Sequence, residues 1–180
     1  MIEGLIGERL RAAVRDVPDF PRPGIIFKDI TPILKDPDLC DAVVECMAET
    51  LDAQAIDVVA GVESRGFLFG FSLAQRLQKP FVPIRKVGKL PCNTVQQKYA
   101  LEYGFAAIEI HADAFAAGSR VLIHDDLLAT GGTVVAASKL IRSLGGQVAG
   151  YSFVITLDFL NGRERLAAYN QDIHSLIGYQ

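Results

Sequence analysis

The order of apolar segments predicts an α/β fold in which a mostly parallel central sheet carries helices on both faces. Runs such as "IDVVAGV", "SRVLIHD" and "QVAGYSFVITL" are almost continuously apolar, as strands buried on both faces must be, and helical spacing recurs between such runs. Half of the 180 residues are apolar, so one compact domain of this length can bury a core without disulfides or a structural metal.

The opening "MIEGLIGERLRAAVRD" sets Ile2, Leu5, Ile6, Leu10 and Val14 among Glu3, Glu8 and Arg9. This spacing predicts an amphipathic helix, not an export signal or a membrane span. In "DVPDFPRPGIIFKDITPILKD" the prolines 18, 21, 23 and 32 each fix φ and remove a donor, which predicts an ordered loop with short strands. Residues 36–53 read as a helix, "IDVVAGV" as a strand, 66–78 as a helix, and "PFVPIRK" and "GFAAIEI" as strands. The stretch from 87 to 104 has few apolar anchors and contains Gly88, Pro91 and Gly104, which predicts a lid. "SRVLIHD" is then a strand, followed by a helix with an apolar face of Val134, Ala137, Ile141 and Leu144 that stops at Gly145 and Gly146. "QVAGYSFVITL" makes one more strand.

The formal charge of −3 and a pI near 5.6, with no block of Lys and Arg, exclude nucleic acid as an expected partner. Cys40, Cys46 and Cys92 show neither C-x-x-C spacing nor a nearby histidine pair, so neither a disulfide framework nor a zinc site is expected. A reducing cytoplasm fits this cysteine usage.

The chemistry concentrates in "VLIHDDLLATGGT", Val121 to Thr133. A glycine turn after a buried strand and before a helix leaves backbone N–H groups unpaired. With the hydroxyls of Thr130 and Thr133, the absence of side chains at Gly131 and Gly132, and the backbone of Ala129, it suits a phosphate monoester. Asp125 and Asp126, expected where the strand ends, cannot share that anion. They suit ribose hydroxyls or a magnesium ion. A phosphate beside diol-binding acids describes a sugar phosphate. His124 is expected to face the core. Neither a G-x-x-x-x-G-K-[ST] nor a G-x-G-x-x-G sequence occurs.

"VLIHDDLLATGGT" resembles the phosphoribosyl diphosphate (PRPP) signature of type I phosphoribosyltransferases. "DFPRPGIIFKDITPIL", "GVESRGFLFG", "IRKVGKLP", "YALEYG" and "NGRERL" resemble the adenine phosphoribosyltransferases, in matching order over residues 19–166. The resemblance implies the type I fold in a single domain, residues 1–180, with residues 1–35 contributing a small N-terminal hood over the base. It implies transfer of ribose 5-phosphate from PRPP to N9 of adenine, giving AMP and pyrophosphate, with Mg2+, in a homodimer.

It also implies residue roles. Glu63, Ser64 and Arg65 would form the pyrophosphate site around a non-proline cis peptide between Glu63 and Ser64. Arg85, Lys86 and Lys89 would meet a polyanion, with Arg85 reaching the neighbouring subunit's site. Ile26 and Leu157 would sandwich the adenine ring while the backbone of Lys28, where the family commonly has Arg, reads its edge. Tyr99, Glu102 and Tyr103 fall in the lid, with Glu102 at adenine N7 as the proton-handling group and Tyr103 beside it. Asp125 and Asp126 would act in catalysis and hold the metal through water or substrate. A xanthine or guanine transferase and a noncatalytic PRPP-binding regulator share the PRPP signature. "YALEYG" argues against the first. The second carries a DNA-binding domain and a basic surface, for which this chain has neither room nor charge.

Overall fold

The computed structural model describes residues 2–100 and 104–180. Helix α1 (Ile2–Ala13) inserts Ile6 and Leu10 into the core. The proline-rich passage then holds a separate antiparallel pair, β1 (Arg15–Pro18) against β2 (Ile26–Asp29). Helix α2 (Pro37–Glu49) starts where the Asp36 carboxylate accepts the Leu39 N–H at 3.0 Å and Pro37 takes a first-turn position that needs no donor. It stops at Glu49, short of the expected residue 53, because Asp52 caps a separate 3-10 turn over Ala53–Ala55.

The remaining elements are β3 (Val58–Val62), α3 (Gly66–Arg76), β4 (Phe81–Lys86), β5 (Thr94–Ala100), β6 (Phe105–His111), β7 (Arg120–Leu128), α4 (Gly132–Ser143), β8 (Gln147–Leu157), α5 (Gly162–Ala167) and β9 (Ile173–Tyr179). The large sheet among the described residues runs in the order β5-β6-β4-β3-β7-β8-β9. Strands β4, β3, β7, β8 and β9 are parallel, while β6 pairs antiparallel with both β4 and β5. A mostly parallel sheet was expected; its two edge strands, β5 and β9, were not.

Alternation along the central strands separates two cores. Val58, Ala60 and Val62 of β3 cluster with Val134, Ala137 and Ile141 of α4 on one face. Val59 clusters with Val43 and Met47 of α2 and Phe69 and Leu73 of α3 on the other. Each of the Val, Leu, Ile, Met and Phe side chains among them, when fully buried, contributes about 1.5–3 kcal/mol, so the sheet is held from both sides. The consequence for function is geometric. β3 feeds α3 on one face and its neighbour β7 feeds α4 on the opposite face, so the two connections diverge and open a crevice at the carboxyl edge. Among the described residues, no helix is long and apolar enough to cross a membrane.

Candidate active site

The first wall of the crevice is the loop from Ala129 to Thr133. Gly131, at φ 77°, turns the chain into α4, and no side chain caps that helix, so its first-turn N–H groups have no intrahelical acceptor. These groups and the Thr130 and Thr133 hydroxyls border a cleft of about 390 Å³, which Tyr99, Asp125 and Arg165 also line. The Thr133 hydroxyl donates to the Tyr99 hydroxyl at 3.2 Å, which ties β5 to the loop. Such a cleft suits a phosphate dianion.

Asp125 and Asp126 lie inside β7, which pairs with β8 as far as Leu128, so the strand runs beyond them and does not end at them as the sequence suggested. The eleven-residue β8 provides partners for the extra turn-ward residues of β7, which keeps the carboxylates on a rigid ladder. Asp125 is partly exposed and lines the phosphate cleft; Asp126 is buried, and its Oδ2 lies 3.1 Å from Arg65 Nε. Burial and the charge of Asp126 push the Asp125 carboxyl well above the usual carboxylate range. Burial also raises Asp126, against the pull of Arg65. His124 is fully buried, as expected, and burial lowers its imidazole to about 4, so it is neutral.

No group of three or more His, Cys, Asp or Glu that could hold a metal occurs among the described residues. The donor set of Asp125 and Asp126, one of them committed to Arg65, suits magnesium carried in on a diphosphate and held mainly by substrate oxygens and water.

The second wall is the start of α3. The peptide between Glu63 and Ser64 is cis, as the resemblance implied. Ser64 is exposed, and α3 too has no side-chain cap. Arg65 connects three elements: it pairs with Asp126 of β7, its guanidinium lies 4.8 Å from the ring centroid of Phe27 in β2, and its Nη1 is buried without a hydrogen-bond partner. That spare donor suits a ligand oxygen. Glu63 does not face an anion. Its carboxylate accepts from Arg85 Nε at 3.1 Å and from the Lys86 N–H at 2.9 Å, and these donors keep it below the usual range despite burial. Arg85 also donates to the Lys89 carbonyl at 2.9 Å, which braces the basic loop; Lys86 and Lys89 are exposed.

A third recess, of about 630 Å³, is lined by Ile26 and Lys28 of β2, Leu157, Phe159, Tyr179 and Thr130, among others. Ile26 is 57% exposed, unusual for a core residue and apt for stacking on a flat ring. The Lys28 ammonium is already engaged: Nζ lies 2.6 Å from Asp16 Oδ1 and 4.0 Å from the Tyr179 ring centroid. Its ammonium is therefore committed to the protein's own groups. Thr130 lines both this recess and the phosphate cleft, so the two compartments adjoin.

Glu102 and Tyr103 lie outside the described residues. Within the segment expected as a lid, residues 94–100 form β5, which pairs with β6 and has Val95 and Tyr99 packed against the core. Phe27, Phe159, Arg165 and Tyr179 were not singled out in the sequence. "NGRERL" was the available signal for Arg165; Tyr179 follows the last segment assigned and left none.

The phosphoribosyl transferase domain family matches residues 29–172. The chain is 53% identical over 177 residues to an adenine phosphoribosyltransferase of Cytophaga hutchinsonii, covering 98% of both sequences. It is similar to the crystal structure of adenine phosphoribosyltransferase from Thermoanaerobacter pseudethanolicus, with a TM-score of 0.92 and 50% identity over 96% of this chain and 99% of that one. It is also similar to the Saccharomyces cerevisiae enzyme complexed with D-2,5-dideoxy-2,5-imino-altritol 1,6-bisphosphate and adenine, with a TM-score of 0.91 and 40% identity over 97% and 99%.

Proposed function

The chain belongs to the adenine phosphoribosyltransferase family, and from that premise we propose that it transfers ribose 5-phosphate from PRPP to N9 of adenine, releasing pyrophosphate and forming AMP in purine salvage. The observation that carries this reading is the junction at Thr130. A recess able to hold a flat base adjoins a cleft able to hold a phosphate, with Asp125 in the wall of the latter. A 5′-nucleotide has these two ends and a diol between them. The yeast relative supports the base assignment, since it is complexed with adenine and a bisphosphate.

The residues divide the work. Ala129–Thr133 hold the 5′-phosphate, and the start of α3 with Ser64 and Arg65 holds the pyrophosphate. Ile26 and Leu157 enclose the adenine ring. The Lys28 carbonyl accepts from the 6-amino group while its N–H donates to N1, so a 6-oxo purine would set acceptor against acceptor. As the C1′–pyrophosphate bond breaks and positive charge develops on the ribose, Asp125 and Asp126 stabilise it. Glu102 carries the proton balance at N7, with Tyr99 and Tyr103 covering the site against water. Asp125 and Asp126 would hold magnesium through water or substrate oxygens, where the ion would supply charge neutralisation for the pyrophosphate.

We further read the chain as a cytoplasmic homodimer. Leu68, Phe71 and Val87 are 43%, 51% and 41% exposed on α3 and the basic loop, apolar surface that a partner subunit would cover. Initial rates with adenine, hypoxanthine, guanine and xanthine, each with PRPP and magnesium, test the function. Turnover of adenine alone is expected; preference for a 6-oxo purine would overturn the base assignment.

A further inference from the structure

Helix α5 has no part in the roles above, yet its backbone lies against the phosphate loop. It follows Asn161, at φ 54°, and begins at the buried Gly162. A Cβ added to Gly162 would overlap the Ala129 carbonyl oxygen and lie 3.0 Å from Leu128 side-chain atoms. From the opposite side, a Cβ added to Gly131 would lie 3.2 Å from the Gly162 carbonyl oxygen. The two backbones therefore meet at a distance that only glycine permits.

Three residues on, Arg165 donates from Nη1 to the Thr130 carbonyl at 2.8 Å. Arg163 holds the other side of α5: it donates to the Ile173 carbonyl at 2.9 Å and pairs with Asp158 at 3.4 Å. The helix thus joins the loop to the rigid end of β8 and the start of β9. Arg165 also lines the phosphate cleft, where it is the one cationic side chain among the described residues, against the carboxylate of Asp125. A dianion entering a cleft lined otherwise by neutral groups and the Asp125 carboxyl needs a compensating charge. One of the five guanidinium N–H donors serves Thr130, and among the described residues Arg165 forms no ion pair that would compete for the others.

We propose that α5 is a bracket for the phosphate loop, in which Gly162 sets the position of the loop and Arg165 is the cation of the phosphate cleft. This rests on the phosphate reading of residues 129–133. Because Arg165 is exposed, its replacement leaves the core untouched.

Calorimetric titration with AMP, paired with the KM for adenine at saturating PRPP, tests the bracket. Arg165→Met is expected to weaken AMP binding about tenfold or more while the adenine KM stays within about twofold. Its AMP affinity should also fall less steeply with added salt than that of the unchanged protein, since one cation facing the phosphate is gone. Arg165→Lys is expected to recover part of the loss, restoring charge but not the fork. Gly162→Ala is expected to weaken AMP with Arg165 still present; should it fail to fold, the Arg165 variants still decide. AMP binding at wild-type affinity in Arg165→Met would overturn the bracket alone, as would an equal loss for AMP and adenine. An unchanged protein that does not bind AMP would overturn the phosphate loop and the bracket with it.

Discussion

Asp125 and Asp126 are chain neighbours in unequal surroundings, and their difference sets what each substitution should do. Burial and its neighbour's charge raise Asp125, so its ionised form is disfavoured in the fold. A group raised in this way stabilises the fold only in its protonated form, and that contribution is lost as pH rises through its folded value. Asp125→Asn should therefore leave the melting temperature unchanged or higher at neutral pH, because the amide oxygen can still accept the Asp126 N–H. Turnover should nevertheless fall at least about tenfold, or 1.4 kcal/mol, because the developing ribose charge favours the ionised carboxylate, a form that Asn cannot adopt; Asp126→Asn should do the same to turnover. Full activity in both variants would reduce the pair to a structural feature of β7.

Asp29 has the opposite sign. Its carboxylate accepts the Thr31 N–H and pairs with Arg15, which lowers it from 3.8 to about 2. The resulting stability is complete above about pH 4 and disappears as pH falls through about 2. Asp29→Asn should cost up to about 2 kcal/mol at pH 7 and flatten the acid limb between pH 4 and 2, as measured by urea denaturation. An acid limb identical to wild type would show that Asp29 does not anchor the end of β2.

At the scale of elements, the turn into α4 holds the phosphate reading. A Cβ at Gly132 would meet nothing closer than Tyr99 Cδ2, at 3.8 Å, so the fold tolerates a side chain there. Gly132→Val should accordingly fold normally, yet its methyl groups should block close approach to the backbone and weaken PRPP and AMP together. Unaltered affinity for both would exclude the loop as the phosphate site.

The same element shows what the sequence could reveal. An apolar strand, two acids, a glycine turn and an amphipathic helix are all local patterns, and their order placed the turn between β7 and α4 and the crevice beside it without coordinates. β5 was hidden because "TVQQKYA" is an edge strand paired, among the described residues, only with β6 and half exposed, which leaves the partly buried Val95 and Tyr99 as its few anchors. Contacts across distant segments left no pattern at all. Gly162 against Ala129, Arg65 against Phe27, and Lys28 against Tyr179 exist only because parallel crossovers bring those segments together.

For the whole molecule, a role of Arg85 in its own site and a role in its neighbour's site make opposite demands on assembly. Within one chain Arg85 is held by Glu63 and by the Lys89 carbonyl, in a loop whose Val87 is 41% exposed beside the pyrophosphate wall. A two-fold dimer that covered this loop would present Arg85 to the partner's pyrophosphate, and the arrangement has a countable consequence. Arg85→Ala and Asp125→Asn should each be nearly inactive as purified homodimers. In a mixed dimer, the Arg85→Ala subunit keeps its own Asp125 and receives an intact Arg85 from its partner, so one of the two sites is complete. Random exchange makes half of the dimers mixed, so mixing equal amounts after dissociation should restore about a quarter of wild-type activity. If Arg85 acted on its own site, every site in every combination would carry one defect, and mixing would restore nothing. Recovery of activity, followed against time of subunit exchange, therefore tests the dimer and the role of Arg85 in one measurement.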